Sequence, residues 1–192
     1  MRRVGTPMLC KFVEDDLDYT GEQLRSLWAY RTFGLQGDSI VGFVGRAQVA
    51  TERLVDEEDR REGAGIHSPR MLHFIVEHFG QDLATAVARQ RLLVCLAKEE
   101  LQGLSEGLTL ERRGDDLFHG EEKLSVSIAT LSPVSALIHL GLNVRSGGAP
   151  VPTCGLEDFG LDAVEAGRRI LEAYAAEVAG MEAACCKVRG VP

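Results

Sequence analysis

Long hydrophobic runs are missing from this 192-residue chain. No apolar stretch approaches the roughly 18–20 residues needed to cross a bilayer, so no membrane partner is expected. The start, MRRVGTPMLCKFVEDD, has two arginines but no apolar signal segment and no cleavage pattern. Positive charge is also short. The formal net charge of −8 excludes a broad phosphate-binding face, and no nucleic-acid partner is expected. Cysteine is sparse and unpatterned: Cys10, Cys95, Cys154, Cys185 and Cys186 are odd in number and include no CxxC pair. Adjacent positions such as Cys185 and Cys186 diverge on a helix and make a poor metal pair. Reduced thiols in a cytoplasmic protein are the expectation. There is no internal repeat and no low-complexity segment.

What remains is ordinary globular material, 45% apolar and 26% charged, long enough to bury a core without disulfides. A single domain over residues 1–192 is expected. Strand-forming residues at 8–13 open the chain. The spacing of Leu24, Leu27 and Trp28 predicts a helix over 18–34, ended by Gly34. Residues 39–50 predict a hairpin or bent strand with Gly45 as a turn candidate. The charged stretch at 51–63 predicts a short exposed helix or loop. Residues 71–79 alternate as a strand, with His73, Ile75, Glu77 and Phe79 on one face. Residues 82–103 predict the clearest helix, capped by Asp82, with Leu83, Val87, Val94, Ala97 and Leu101 on its buried stripe. Strands follow at 115–119, 122–130 and 134–144, and a helix over 161–186. Strands joined by tight turns are antiparallel. The fold class is therefore α+β, a largely antiparallel mixed sheet with helices packed on one face.

The stretch GDDLFHGEEKLSVSIAT carries the candidate chemistry. A two-residue turn at Gly120–Glu121 pairs Phe118 with Lys123 and Asp116 with Ser125. If the apolar faces of the next two strands both point to the core, even positions pair with even. Ile128 then lies opposite Val134, Ser127 beside Ser135 and Lys123 beside His139. Asp116, Lys123, Ser125, Ser127, His139 and Asn143 would share one surface, either bare to water or the floor of a cleft. Few long charged residues solvate that face, and Gly141 inside a strand marks close approach of a ligand or backbone.

The same residues resemble the central hairpin of the biotin and lipoate protein ligases. In those families an Asn-Asp dipeptide precedes a lysine by seven residues, and a Gly-Ile/Leu-Asn-Val strand follows. Asp116, Lys123 and Gly141-Leu142-Asn143-Val144 match that order. The whole chain also resembles an uncharacterised prokaryotic family, domain-of-unknown-function family 366, through LWAYRTFGLQGDSIV, HFIVEHF and KLSVSIATLSPVS. That resemblance implies the catalytic-domain fold of those ligases. The resemblance to the ligases implies that Lys123 holds a carboxylate and the phosphate of its adenylate, that Asp116 orients or deprotonates an amine nucleophile, and that Asn143 contacts adenine, with ATP the candidate cofactor. The departures are Asp115 in place of the first Asn, Val126 where the ligases have glycine, and a nucleotide loop reduced to RREGAGIH.

His73 with Glu77 shares a strand face, but no third zinc ligand is evident, so no metal is assigned. His73 is a cleft candidate instead. Glu14 and Asp16 are candidates for a cation. Arg145 would meet an anion at the cleft mouth, and the loop RSGGAPVPT would cover a ligand. Three readings follow. The first is a ligase or acyltransferase acting on a carboxylate or acyl substrate. The second is a non-catalytic binder of an acyl or nucleotide-like small molecule. The third is a structural subunit whose polar sheet face forms a homodimer.

Overall fold

The strand-forming segments assemble into one main sheet in a computed structural model that describes residues 7–63, 65–147 and 151–191. The elements are β1 (Leu9–Phe12), α1 (Trp28–Phe33), β2 (Ser39–Val49), α2 (Glu57–Glu62), β3 (Ile66–Phe79), α3 (Leu83–Leu104), β4 (Glu111–Arg113), β5 (Asp116–His119), β6 (Glu122–Lys123), β7 (Ser125–Leu131), β8 (Ser135–Arg145) and α4 (Ala163–Cys185). The main sheet is five-stranded in the order β1-β2-β3-β8-β7, and β4-β5-β6 form a three-stranded sheet beside it. Within the main sheet β1 runs parallel to β2 and the other neighbours are antiparallel. The α+β class with a mixed, largely antiparallel sheet is what forms.

Alternation divides the core into two layers. Ile40, Val44, Leu72, Phe74, Val76, Ile138, Leu140 and Leu142 meet the inner stripes of α3 and α4. Val41, Phe43, Val49 and Ile75 point the other way and pack under Tyr19, Trp28, Ala29 and Leu54. Helix α4 is started by Asp162, whose carboxylate accepts the Glu165 N–H at 2.8 Å. Asp162→Ala is expected to cost about 1 kcal/mol, read as a lower urea midpoint with an unchanged m-value.

Several expectations are corrected. Only Trp28–Phe33 of the stretch 18–34 is helical. Ahead of it, Leu17 and Tyr19 donate backbone bonds to Val44 and Arg46 of β2, and Leu27 sits at φ 62 with its N–H given to Glu77. Pairing along β2 outweighs the helical spacing. Gly45 makes no turn: β2 is one strand with a register shift there. An added Cβ at Gly45 would land in the Leu17 carbonyl, so the glycine admits the crossing backbone. On α3, Leu83 and Val87 are exposed while Arg89 and Gln90 are buried. Both polar side chains have partners: Arg89 reaches His78 at 2.7 Å, and Gln90 reaches Asp115 at 3.0 Å and Ser127 at 2.7 Å.

The pairing of β7 with β8 also differs. Ile128 lies opposite His139 and Val126 opposite Gly141, even with odd. The expected continuous return strand breaks at Leu124, whose N–H goes back to Leu117 and whose carbonyl accepts from Asn143. That break resets the alternation. Leu124 enters the helix-side core, and from Ser125 onward the polar positions face the helices. Their hydroxyls are satisfied there. Ser125 Oγ accepts the Leu117 N–H at 2.8 Å, and Ser127 Oγ donates to the Asp115 carbonyl at 2.9 Å. A polar group can turn inward when it is hydrogen-bonded.

Candidate functional site

The reversed register sends Val126 and Ile128, with His139, onto the face away from the helices. There they line a cavity of about 200 Å³. The hairpin supplies Asp115, Asp116 and Lys123; the N-terminal segment supplies Tyr19 and Leu24; residues 49–59 supply Val49, Arg53, Leu54, Asp56 and Asp59. Apolar walls thus converge on a group of charges.

Lys123 is fixed by its backbone. It pairs with Phe118 across the turn, gives its N–H to Pro152 and accepts from Cys154. The Lys123 Nζ lies 2.7 Å from Asp116, itself bonded by Ser125 Oγ at 3.3 Å. The expected grouping of Asp116, Lys123 and Ser125 is therefore present, with Ser125 buried beneath the pair rather than facing the cavity. Burial raises the Asp116 carboxyl above its ordinary range, against the pull of Lys123. Asp115 is held separately by Arg91 at 3.3 Å. Ser127 reaches the cavity edge while tied to Gln90 and Asp115.

His139 forms the floor. Tyr19 stacks on it with ring centroids 3.9 Å apart, and its Nε2 lies 3.1 Å from His73 Nδ1. Burial holds both rings neutral: His73 is pushed down to about 3 and His139 well below the ordinary histidine value. His73 lies beneath the floor against Phe43 and is fully buried. It is a core partner of His139, away from the cavity lining. Asn143 is likewise behind the lining. Its amide donates to the Lys123 carbonyl at 3.4 Å, and its oxygen accepts from Ser68 at 3.3 Å. It steadies the lysine's backbone. Arg145 is bound to Glu157 at 3.0 Å and does not line the cavity.

Glu77, the proposed partner of His73, accepts instead from Leu27 N–H at 2.8 Å and Ser135 Oγ at 2.6 Å. Glu14 and Asp16 are paired with Arg168 and Arg70. Among the described residues no group of three His, Cys, Asp or Glu could hold a metal, and no helix is long and apolar enough to cross a membrane. The loop expected to cover a ligand includes residues 148–150, and the reduced nucleotide loop includes residue 64; both segments lie partly outside the described residues.

Among the described residues, the cations that line the cavity are already paired. Lys123 is engaged by Asp116 and Arg53 by Glu22 at 2.5 Å, while Asp56, Asp59, Asp115 and Asp116 line the same cavity. Phosphate binding needs uncommitted cations or a ring of N–H donors.

Sequence reasoning missed Tyr19, Leu24, Leu54 and Asp59 as lining residues, and Gln90 as the tie between α3 and the hairpin. Gln90 carried a usable signal, a polar residue next to Leu92 and Leu93 on the widest part of the apolar stripe. The cavity side of 49–59 had none, because its approach to β7 depends on contacts far apart in the chain.

Comparison with known proteins bears on the family and the fold. A family described as Domain of unknown function (DUF366) matches residues 8–189. An uncharacterized protein of Methanocaldococcus jannaschii is 47% identical over 178 residues, 89% of this chain and 80% of its own. A solved protein of unknown function from Pyrococcus horikoshi superposes with a TM-score of 0.92 at 41% identity, covering 96% of this chain and 100% of its own. Biotin protein ligase from Aquifex aeolicus, in complex with biotin and ATP, superposes at 0.59 with 16% identity over 92% of this chain and 71% of its own. At that identity the likeness is one of fold alone. The chain belongs to the DUF366 family, built on the fold of the biotin and lipoate protein ligase catalytic domains.

Proposed function

We propose that the protein binds a small acyl compound in this cavity and acts on its acyl group as a transferase of the ligase-like type. The observation that carries the reading is the Lys123 ammonium, 2.7 Å from Asp116, facing the apolar wall of Val126, Ile128 and Leu54 in the same cavity. The acyl tail lies along Val126, Ile128 and Leu54, and its carboxyl or carbonyl oxygen meets Lys123. Negative charge that develops on this oxygen is stabilised by the cation. In transfer from an activated acyl donor such as a thioester, Asp116, raised by burial, takes the proton shed by the attacking amine as the C–N bond forms, and the acyl–sulfur bond breaks with the thiol leaving. Biotin and lipoate ligases on this fold bind acids of this kind, as the biotin and lipoic acid complexes of relatives indicate.

A second reading is a non-catalytic binder of an acyl or nucleotide-like compound. The committed cations and the aspartate-rich rim favour it over an ATP-dependent ligase. Titration calorimetry with biotin, lipoate and octanoate tests the site. Lys123→Ala is expected to weaken carboxylate binding about tenfold or more; unchanged affinity would remove Lys123 from it. Acid-dependent ATP–pyrophosphate exchange separates the two enzymatic routes. Its appearance would restore adenylation and overturn the donor-set argument.

A further inference from the structure

The cavity is shaped by two side chains of one strand. Val126 and Ile128 are the apolar residues that β7 projects into it, and both are only partly buried. Beneath them the floor is closed. Gly141, opposite Val126, has no side chain, and the space above it is filled by Met71 from β3, into whose sulfur a Cβ at position 141 would run. Opposite Ile128 the His139 ring lies flat against Tyr19. Met71 is itself buried, so a deeper channel there would have to displace packed side chains. A chain entering past Lys123 therefore cannot deepen the cavity through its floor. Its free length is whatever Val126 and Ile128 leave. The volume of about 200 Å³ already lies under the roughly 300–1,000 Å³ of pockets for drug-sized ligands.

We propose that Val126, with Ile128 behind it, is the specificity-determining residue of the cavity and restricts it to carboxylates with short acyl chains. The inference rests on the acyl reading and deepens it. The Val126 side chain carries no group that can form an ion pair or a hydrogen bond, so it selects by volume alone. Truncating it should open a channel above Gly141 that ends on Met71. The added space is apolar and suits methylene groups.

The test is titration of a straight-chain series, acetate through decanoate, into the wild-type protein, Val126→Gly and Val126→Ala. The wild type should bind shorter members best and lose affinity at octanoate and decanoate. In Val126→Gly the optimum should move to longer chains, with octanoate tightened about tenfold, as two further buried methylenes predict. Val126→Ala should move the same way by a smaller step, and it serves if the glycine variant does not fold. Val126→Phe should shorten the optimum. Binding with the same length profile in all variants overturns the inference and leaves the acyl reading standing. No binding of any chain length by the wild type overturns the acyl reading, and this inference with it.

Discussion

Replacing Gly45 by alanine is expected to destabilise the fold by about 3 kcal/mol, the upper part of the range for overpacking. The added methyl would occupy the Leu17 carbonyl carbon and oxygen, and the nearby Asp18 nitrogen leaves no side-chain end to swing away. Backbone has to move. The segment it would displace is the one that donates Leu17 N–H to Val44 and Tyr19 N–H to Arg46. Tyr19 roofs His139, so loss of the crossing opens the cavity as well as the core. Urea denaturation should show the lower midpoint, and ligand affinity should fall with it. Gly180→Ala is the matching control. A Cβ there meets nothing, and on the exposed side of α4 alanine should hold or raise stability. If Gly45→Ala behaves like Gly180→Ala, the crossing is not as tight as described.

Acid should loosen the protein well before its carboxylates are titrated. His73 and His139 are buried, neutral and bonded to each other. Burial lowers both folded values below the unfolded 6.5, with His73 at about 3. The unfolded chain therefore binds more protons than the folded one below pH 6.5. Stability is complete above that pH and lost as pH falls toward the folded values, by about 1.4 kcal/mol per pH unit for each histidine. Between pH 6.5 and pH 5 the pair should cost about 3 kcal/mol. Asp116 works with the opposite sign. Its carboxyl is raised in the fold, so it contributes stability in acid that is lost as pH rises through its folded value. Unfolding curves at several pH values, compared with the double variant His73→Leu/His139→Leu, separate the two. The variant should lose most of the slope below pH 6.5. An unchanged slope would mean that the pair is charged in the fold.

The pair also shows how burial governs the site. His139 was expected on a polar sheet face open to a cleft. It does reach the cavity, but as a stacked neutral ring whose second nitrogen belongs to His73. Such a group positions the floor without supplying a charge. Asn143 is similar: expected to contact adenine, it holds the Lys123 carbonyl and Ser68. Among the described residues, the charged groups that line the cavity are the hairpin pair, Arg53 and the aspartates of the rim.

Local pattern was enough for the elements whose order comes from neighbours in the chain. The two-residue turn that pairs Phe118 with Lys123, the Asp82 cap, the alternation of 71–79 and the apolar stripe of the last helix are decided by φ, ψ and side-chain period. The contact of Asp116 with Lys123 followed from them. Tertiary structure decided the rest. The break at Leu124 reversed the parity of β7, and with it which residues became wall and which became buried ties, because satisfied serines can face a core that unsatisfied ones cannot. Residues 18–27 left the helix because β2 offered their backbone partners, and Arg89 and Gln90 turned inward because His78, Asp115 and Ser127 were there to receive them. In each case the deciding partner lies on another element of the fold, beyond the reach of a short sequence window.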